Sequence, residues 1–112
     1  MAIEPIPSQT FQVEVVPDRT RVLVTPRGEL DLSTVDRVEE EVQDLRSRGF
    51  TTIVLDLRQL EFMDSTGLRL LLRLDAEARS DGFSFSIMDA EGPVRRLLDL
   101  TQMRDRFQQA DP

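Results

Sequence analysis

The sequence contains no cysteine, histidine, lysine or tyrosine. Without cysteine there is no disulfide framework, no thiolate nucleophile and no sulfur ligand for zinc, and a reducing compartment suits the chain. The four missing types also supply most general bases and activated nucleophiles, so only carboxylates and hydroxyls remain. Carboxylate-based or magnesium-dependent chemistry stays formally open. The composition nevertheless points away from an enzyme, and no motif calls for a metal or a cofactor.

Long apolar runs are missing as well. None approaches the ~20 residues that a membrane-spanning helix requires. Met1–Thr10 has neither the basic start nor the apolar centre of a signal peptide. The expectation is a cytoplasmic protein with no membrane partner. Positive charge is in short supply, with 14 basic residues against 21 acidic ones and a net charge of -7. That field repels a phosphate backbone and argues against direct contact with nucleic acid. The exclusive use of arginine among the basic residues is ascribed to genome base composition.

What is present suffices for a core. At 112 residues, 39% hydrophobic and 31% charged, the chain has the size and composition of one domain that folds alone. Residues 1–10 carry Pro5 and Pro7 and read as a flexible lead-in. Phe11, Val13 and Val15 alternate with Gln12 and Glu14, Pro17 and Asp18 offer turn chemistry, and an extended pattern resumes over Arg21–Thr25, which together predict a hairpin. Pro26 cannot donate to a ladder, so the second strand should end there, bulge, or expose that position.

Helical spacing then begins with Val35, Val38, Val42 and Leu45, preceded by Ser33 and Thr34 as N-cap candidates and stopped by Gly49. The acidic run Glu39–Glu41 falls on the polar face of this helix, where solvation is its expected role. Thr51–Leu57 is continuous and β-branched, the signature of a strand covered on both faces. Arg58–Asp64 reads as a connection in which Phe62 and Met63 are expected to plug the core, with exposed apolar contact with a partner as the alternative. Leu68, Leu71, Leu72 and Leu74 mark a second helix to about Arg79, with Asp64 or Ser65 as its N-cap. Phe83–Met88 alternates as a further strand, and Gly92-Pro93 opens a third helix carrying Val94, Leu97 and Leu98. Phe107 either adds a last strand or packs down. The order predicts an α/β fold, a mixed but mostly parallel sheet of four to five strands with helices packed on it.

Two segments, Gly28–Asp31 and Met63–Gly67, each follow a strand and lead into a helix. Both should emerge at the carboxyl ends of the strands, where α/β proteins collect functional groups, with Asp31 and Asp64 beside Ser65. Three readings of Ser65 stand together. It is a helix cap; it is a phosphoacceptor at a helix N-terminus; or it is a nucleophile, for which Gly67 matches half of an elbow motif while Met63 replaces the other glycine and no histidine base exists.

The residues Gly28-Glu29-Leu30-Asp31, the strand Ile53–Leu57, the run Phe62-Met63-Asp64-Ser65-Thr66-Gly67-Leu68 and the segment Val94-Arg95-Arg96-Leu97-Leu98 resemble the STAS domain of anti-sigma-factor antagonists, over about Phe11–Phe107, with 108–112 as a tail. The resemblance implies that Ser65 is phosphorylated by an anti-sigma factor that is itself a serine kinase. It further implies that the unphosphorylated chain binds that kinase and frees a sigma factor, and that a PP2C-type phosphatase restores it. Asp31, Asp64, Ser65, Thr66 and Gly67 would form the partner-binding surface, with ATP and the catalytic groups on the partner. The alternative is a STAS subunit of a transporter or a stress-sensing assembly that is not phosphorylated. Departures from the family pattern, Thr101-Gln102-Met103 and Pro26, fall on the last element and the second strand.

Overall fold

The structure is a computed structural model, which describes residues 11–112; the expected lead-in, 1–10, lies outside them. Strand β1 (Gln12–Asp18) pairs antiparallel with β2 (Arg21–Leu30). The turn falls at Arg19-Thr20, two residues beyond the Pro17-Asp18 expected from composition. Asp18 is held inside the strand by Arg21, whose Nε and Nη2 donate to its Oδ2 at 3.0 and 2.8 Å. Arg19 takes the left-handed conformation this tight reversal needs, with φ 61°.

Pro26 neither ends β2 nor is exposed. It is buried opposite Val13, and the strand continues to Leu30. The reason is a change of partner. β2 runs parallel to β3 (Thr52–Asp56) from Val22 to Val24, and parallel to β4 (Leu60–Met63) from Gly28 to Leu30. Pro26 sits in the interval between, where the ladder on one side is already broken and a missing donor is tolerated. Register shifts between Gly28 and Glu29, and Gly28 takes φ 104°, which a residue with a side chain rarely adopts. Gly28–Leu30 is therefore strand, and only Asp31 begins the loop.

The segment expected as a plain connection contains β4, whose burial runs buried, exposed, exposed, buried instead of alternating. On the other side β3 pairs parallel with β5 (Ser84–Met88), giving a five-stranded sheet in the order β1-β2-β3-β5 with β4 added on the far half of β2. β3 is central and buried from Ile53 to Asp56, as its composition predicts.

Helix α1 (Val35–Ser47) buries Val35, Val38, Val42 and Leu45, and α2 (Ser65–Asp81) buries Leu68, Leu70, Leu71, Leu74 and Ala78. Helix α3 (Pro93–Leu100) starts on Gly92-Pro93 and buries Val94 and Leu98. Glu39 is not simply solvated. It accepts from Arg73 Nη2 at 3.1 Å and ties α1 to α2. After a 3₁₀ turn at Arg104–Arg106, Phe107 packs into the core. Residues 108–110, expected as tail, stay on the sheet edge, because Ile87 N donates to Gln108 O at 2.9 Å and Ala110 N to Ile87 O at 2.8 Å.

Candidate functional site

The pairing of β2 with β4 creates the site. Leu30 lies opposite Met63, and Asp64 N donates to Leu30 O at 3.2 Å, so the two strands end side by side and release Asp31 and Asp64 at one edge. Asp64 is extended, with φ -101° and ψ -171°, and its Oδ1 accepts from Thr66 N at 2.8 Å and Gly67 N at 3.2 Å. Of the two N-cap candidates, Asp64 is the cap. Ser65, the first residue of α2, is exposed, and its hydroxyl has no hydrogen-bond partner among the described residues.

Gly67 belongs to the site in a different way from Ser65. It is buried, and a Cβ there would lie 2.4 Å from Met63 Cγ and 3.1 Å from Leu30 O. It lets α2 approach the ends of β2 and β4 and offers no side chain to a partner. Thr66 is half-buried beside it.

Asp31 is anchored by the chain that follows. Its Oδ1 accepts from Ser33 Oγ at 2.7 Å and Ser33 N at 2.9 Å. Its own amide donates to Thr34 Oγ1 at 2.9 Å, and that hydroxyl donates to Glu29 O at 2.8 Å. The Ser33 hydroxyl chiefly, with the Ser33 and Thr34 backbone and the Thr34 side chain, holds the Asp31 carboxyl below its ordinary range against a smaller opposing effect of burial. Asp31 is thus an anion wherever the protein is folded near neutral pH.

Two apolar side chains beside this edge escape the core. Phe62 is 43% exposed, which corrects its expected role as a core plug, whereas Met63 is buried at 2%. β4 turns its end residues Leu60 and Met63 inward and leaves Glu61 and Phe62 outside. Leu32, next to Asp31, is 78% exposed. Of the carboxylates here, Glu29, Asp31, Glu61 and Asp64, none is ion-paired among the described residues. The edge therefore presents unneutralised negative charge around a free hydroxyl and exposed apolar surface, an arrangement suited to contact with another protein. Sequence patterning favoured burial for Phe62 and passed over Leu32. No periodicity marks the exposure of Phe62, because β4 is only four residues long and turns its two end residues inward.

Comparison with known proteins agrees with this architecture. The STAS domain family model matches residues 10–111. The anti-sigma F factor antagonist of Paenibacillus polymyxa is 35% identical over 92 residues, covering 81% of this chain and 79% of that protein. The crystal structure of an anti-sigma factor antagonist from Mycobacterium paratuberculosis superposes with a TM-score of 0.76 at 25% identity, over 93% of this chain and 88% of the other. The anti-sigma factor antagonist SpoIIAA, a Bacillus cell fate determinant, is similar in two solved states. Its unphosphorylated form gives a TM-score of 0.69 at 26% identity, over 91% of this chain and 89% of that one. Its phosphorylated form gives 0.64 at 25% identity, over 91% and 92%.

Proposed function

We propose that this chain, which belongs to the STAS-domain family, acts as an anti-sigma-factor antagonist whose docking on an anti-sigma factor is controlled at Ser65. The observation that carries the reading is the division of labour at the start of α2: Asp64 performs the capping, and the Ser65 hydroxyl is left exposed with no structural duty. A hydroxyl so placed can be modified without cost to the fold. The existence of a related antagonist in both phosphorylated and unphosphorylated forms supports phosphate as the modification.

In this reading the partner is a serine kinase that holds ATP and supplies the catalytic groups, and the chain itself is a substrate and ligand, not an enzyme. The unphosphorylated form binds the kinase through the edge formed by Asp31, Asp64, Ser65 and Thr66, with Phe62 as an apolar contact, and so releases a sigma factor in the cytoplasm. Phosphorylation adds roughly -1.5 to -2 charges. The cap amides of Thr66 and Gly67 are already taken by Asp64, so the new charge is directed to the partner-facing surface, where repulsion and bulk weaken docking. A PP2C-type phosphatase reverses the step.

The test is binding to the cognate anti-sigma kinase. Ser65→Ala should retain binding and Ser65→Asp should lose it, and incubation with kinase and ATP should add one phosphate mapped to Ser65 by mass spectrometry. Equal binding by the two variants would defeat the reading.

A further inference from the structure

The phosphate on Ser65 in the reading above would arrive in an anionic setting. Asp64 is adjacent, Asp31 leaves the neighbouring strand end, and the first-turn amides of Thr66 and Gly67 are occupied. Those two amides and the acidic edge therefore offer it no free donor. Helix α2 does, one turn further on. Residues four apart on a helix share a face, with Cβ atoms about 5–6 Å apart, and long side chains lean back toward the N-terminus. Position 69, four beyond Ser65, is arginine, and it is exposed.

Arg69 belongs to the minority of arginines, with Arg19, Arg37 and Arg96, that reach no carboxylate among the described residues. Ten others reach a carboxylate within 4.0 Å, and on the same helix Arg73 binds Glu39 while Arg79 binds Asp75. Arg69 makes no ion pair or hydrogen bond among the described residues. Nothing on its own helix can neutralise it, because the positions three and four away are Thr66, Ser65, Leu72 and Arg73. Phosphorylation of Ser65 would create the first anion at these helical positions, in the favourable order with the anion on the N-terminal side of the cation.

We propose that Arg69 is the intramolecular counter-ion of a phosphate on Ser65, its guanidinium donating to the phosphate oxygens across one turn of α2. A planar guanidinium suits this role better than an ammonium because it can address two phosphate oxygens at once. The pair has a consequence for the switch. Modification adds an anion and, in the same step, withdraws a free cation from the surface that the partner meets. Arg69 is here a positioning residue that acts on the phosphate and takes no part in its transfer.

The proposal rests on the reading of Ser65 as the phosphosite, but its test requires no kinase. Phosphoserine is installed at position 65 of the full chain by genetic encoding, and its ³¹P resonance is titrated with pH. Preferential pairing with the dianion lowers the second phosphate pKa. That pKa should rise in Arg69→Gln by roughly 0.2–0.4 unit, the size of an exposed pair four residues apart. Arg69→Lys should recover part of the shift, and high salt should abolish the difference between wild type and Arg69→Gln. Identical titrations of wild type and Arg69→Gln at low salt would overturn the proposal. A cognate kinase that leaves Ser65 unmodified would instead overturn the function proposed above, so the two failures are separable.

Discussion

Asp64 and Ser65 are neighbours with opposite obligations. Asp64 Oδ1 accepts two first-turn amides, so Asp64→Ala should cost about 0.5–2 kcal/mol in urea unfolding. Asn caps nearly as well, and Asp64→Asn should recover most of that loss while deleting the charge. Ser65→Ala removes a hydroxyl with no partner and should stay within about 0.5 kcal/mol of wild type. If Ser65→Ala destabilises as much as Asp64→Ala, the assignment of the cap is wrong. The same contrast would let Ser65 carry the proposed phosphate while the helix it begins stays intact. In the sequence, Asp-Ser-Thr-Gly gave either residue as the cap. The choice depends on the extended conformation of Asp64, whose amide donates a hydrogen bond to Leu30 O on another strand.

At the scale of elements, the site depends on the close approach of α2 to the ends of β2 and β4. Gly67→Ala gains helix propensity worth about 1 kcal/mol, but the added methyl would sit 2.4 Å from Met63 Cγ and 3.1 Å from the Leu30 carbonyl. Met63 is buried and must shift, so overpacking of about 1–3 kcal/mol should prevail and the variant should melt below wild type. A gain in melting temperature would show that α2 stands further off. β4 invites the complementary experiment. Phe62→Ser should leave thermal stability little changed, since the ring is 43% exposed, yet weaken binding to the proposed anti-sigma kinase about tenfold or more, as loss of an aromatic anchor does. Unaltered affinity measured by calorimetry would remove Phe62 from the interface.

Across the whole molecule, a clasp joins the chain after β5 to its end. Asp89 Oδ2 accepts from Arg95 Nη2 at 2.9 Å and from Arg104 Nε, linking the exit of β5 to α3 and to the 3₁₀ turn. Burial raises the Asp89 carboxyl, but the hydrogen bonds and charges of Arg95 and Arg104 together outweigh it and hold the group below its ordinary range. A carboxylate whose pKa is lower in the folded state binds fewer protons there than in the unfolded chain. Its stabilisation is fully present above the ordinary carboxylate value, near 3.8, and is lost as pH falls through the lowered folded value. Urea unfolding should therefore show an acid-side decline that is shallower in Asp89→Asn, and parallel profiles would exclude the clasp as its source. No helix of the described residues is long and apolar enough to cross a membrane.

Period and punctuation in the sequence were enough to establish much of this molecule. The stripe Val35, Val38, Val42, Leu45, the β-branched run through Ile53–Leu57, and Gly92-Pro93 before α3 are governed by residues close in the chain, and each element formed where its pattern lay. The family motif pointed to Ser65 and its acidic neighbours, whose role is the proposal made above. Tertiary pairing alone decided the rest. Pro26 is tolerated in mid-strand because β2 changes partner beside it, and four residues of an expected loop become β4 because the far half of β2 lacked a neighbour. Phe62 is exposed because Leu60 and Met63 take the inward positions. Asp64 is the cap because Leu30 holds its amide. Burial and hydrogen-bond partnership are properties of two segments brought together, and the pattern of one segment carries no information about where the other will be.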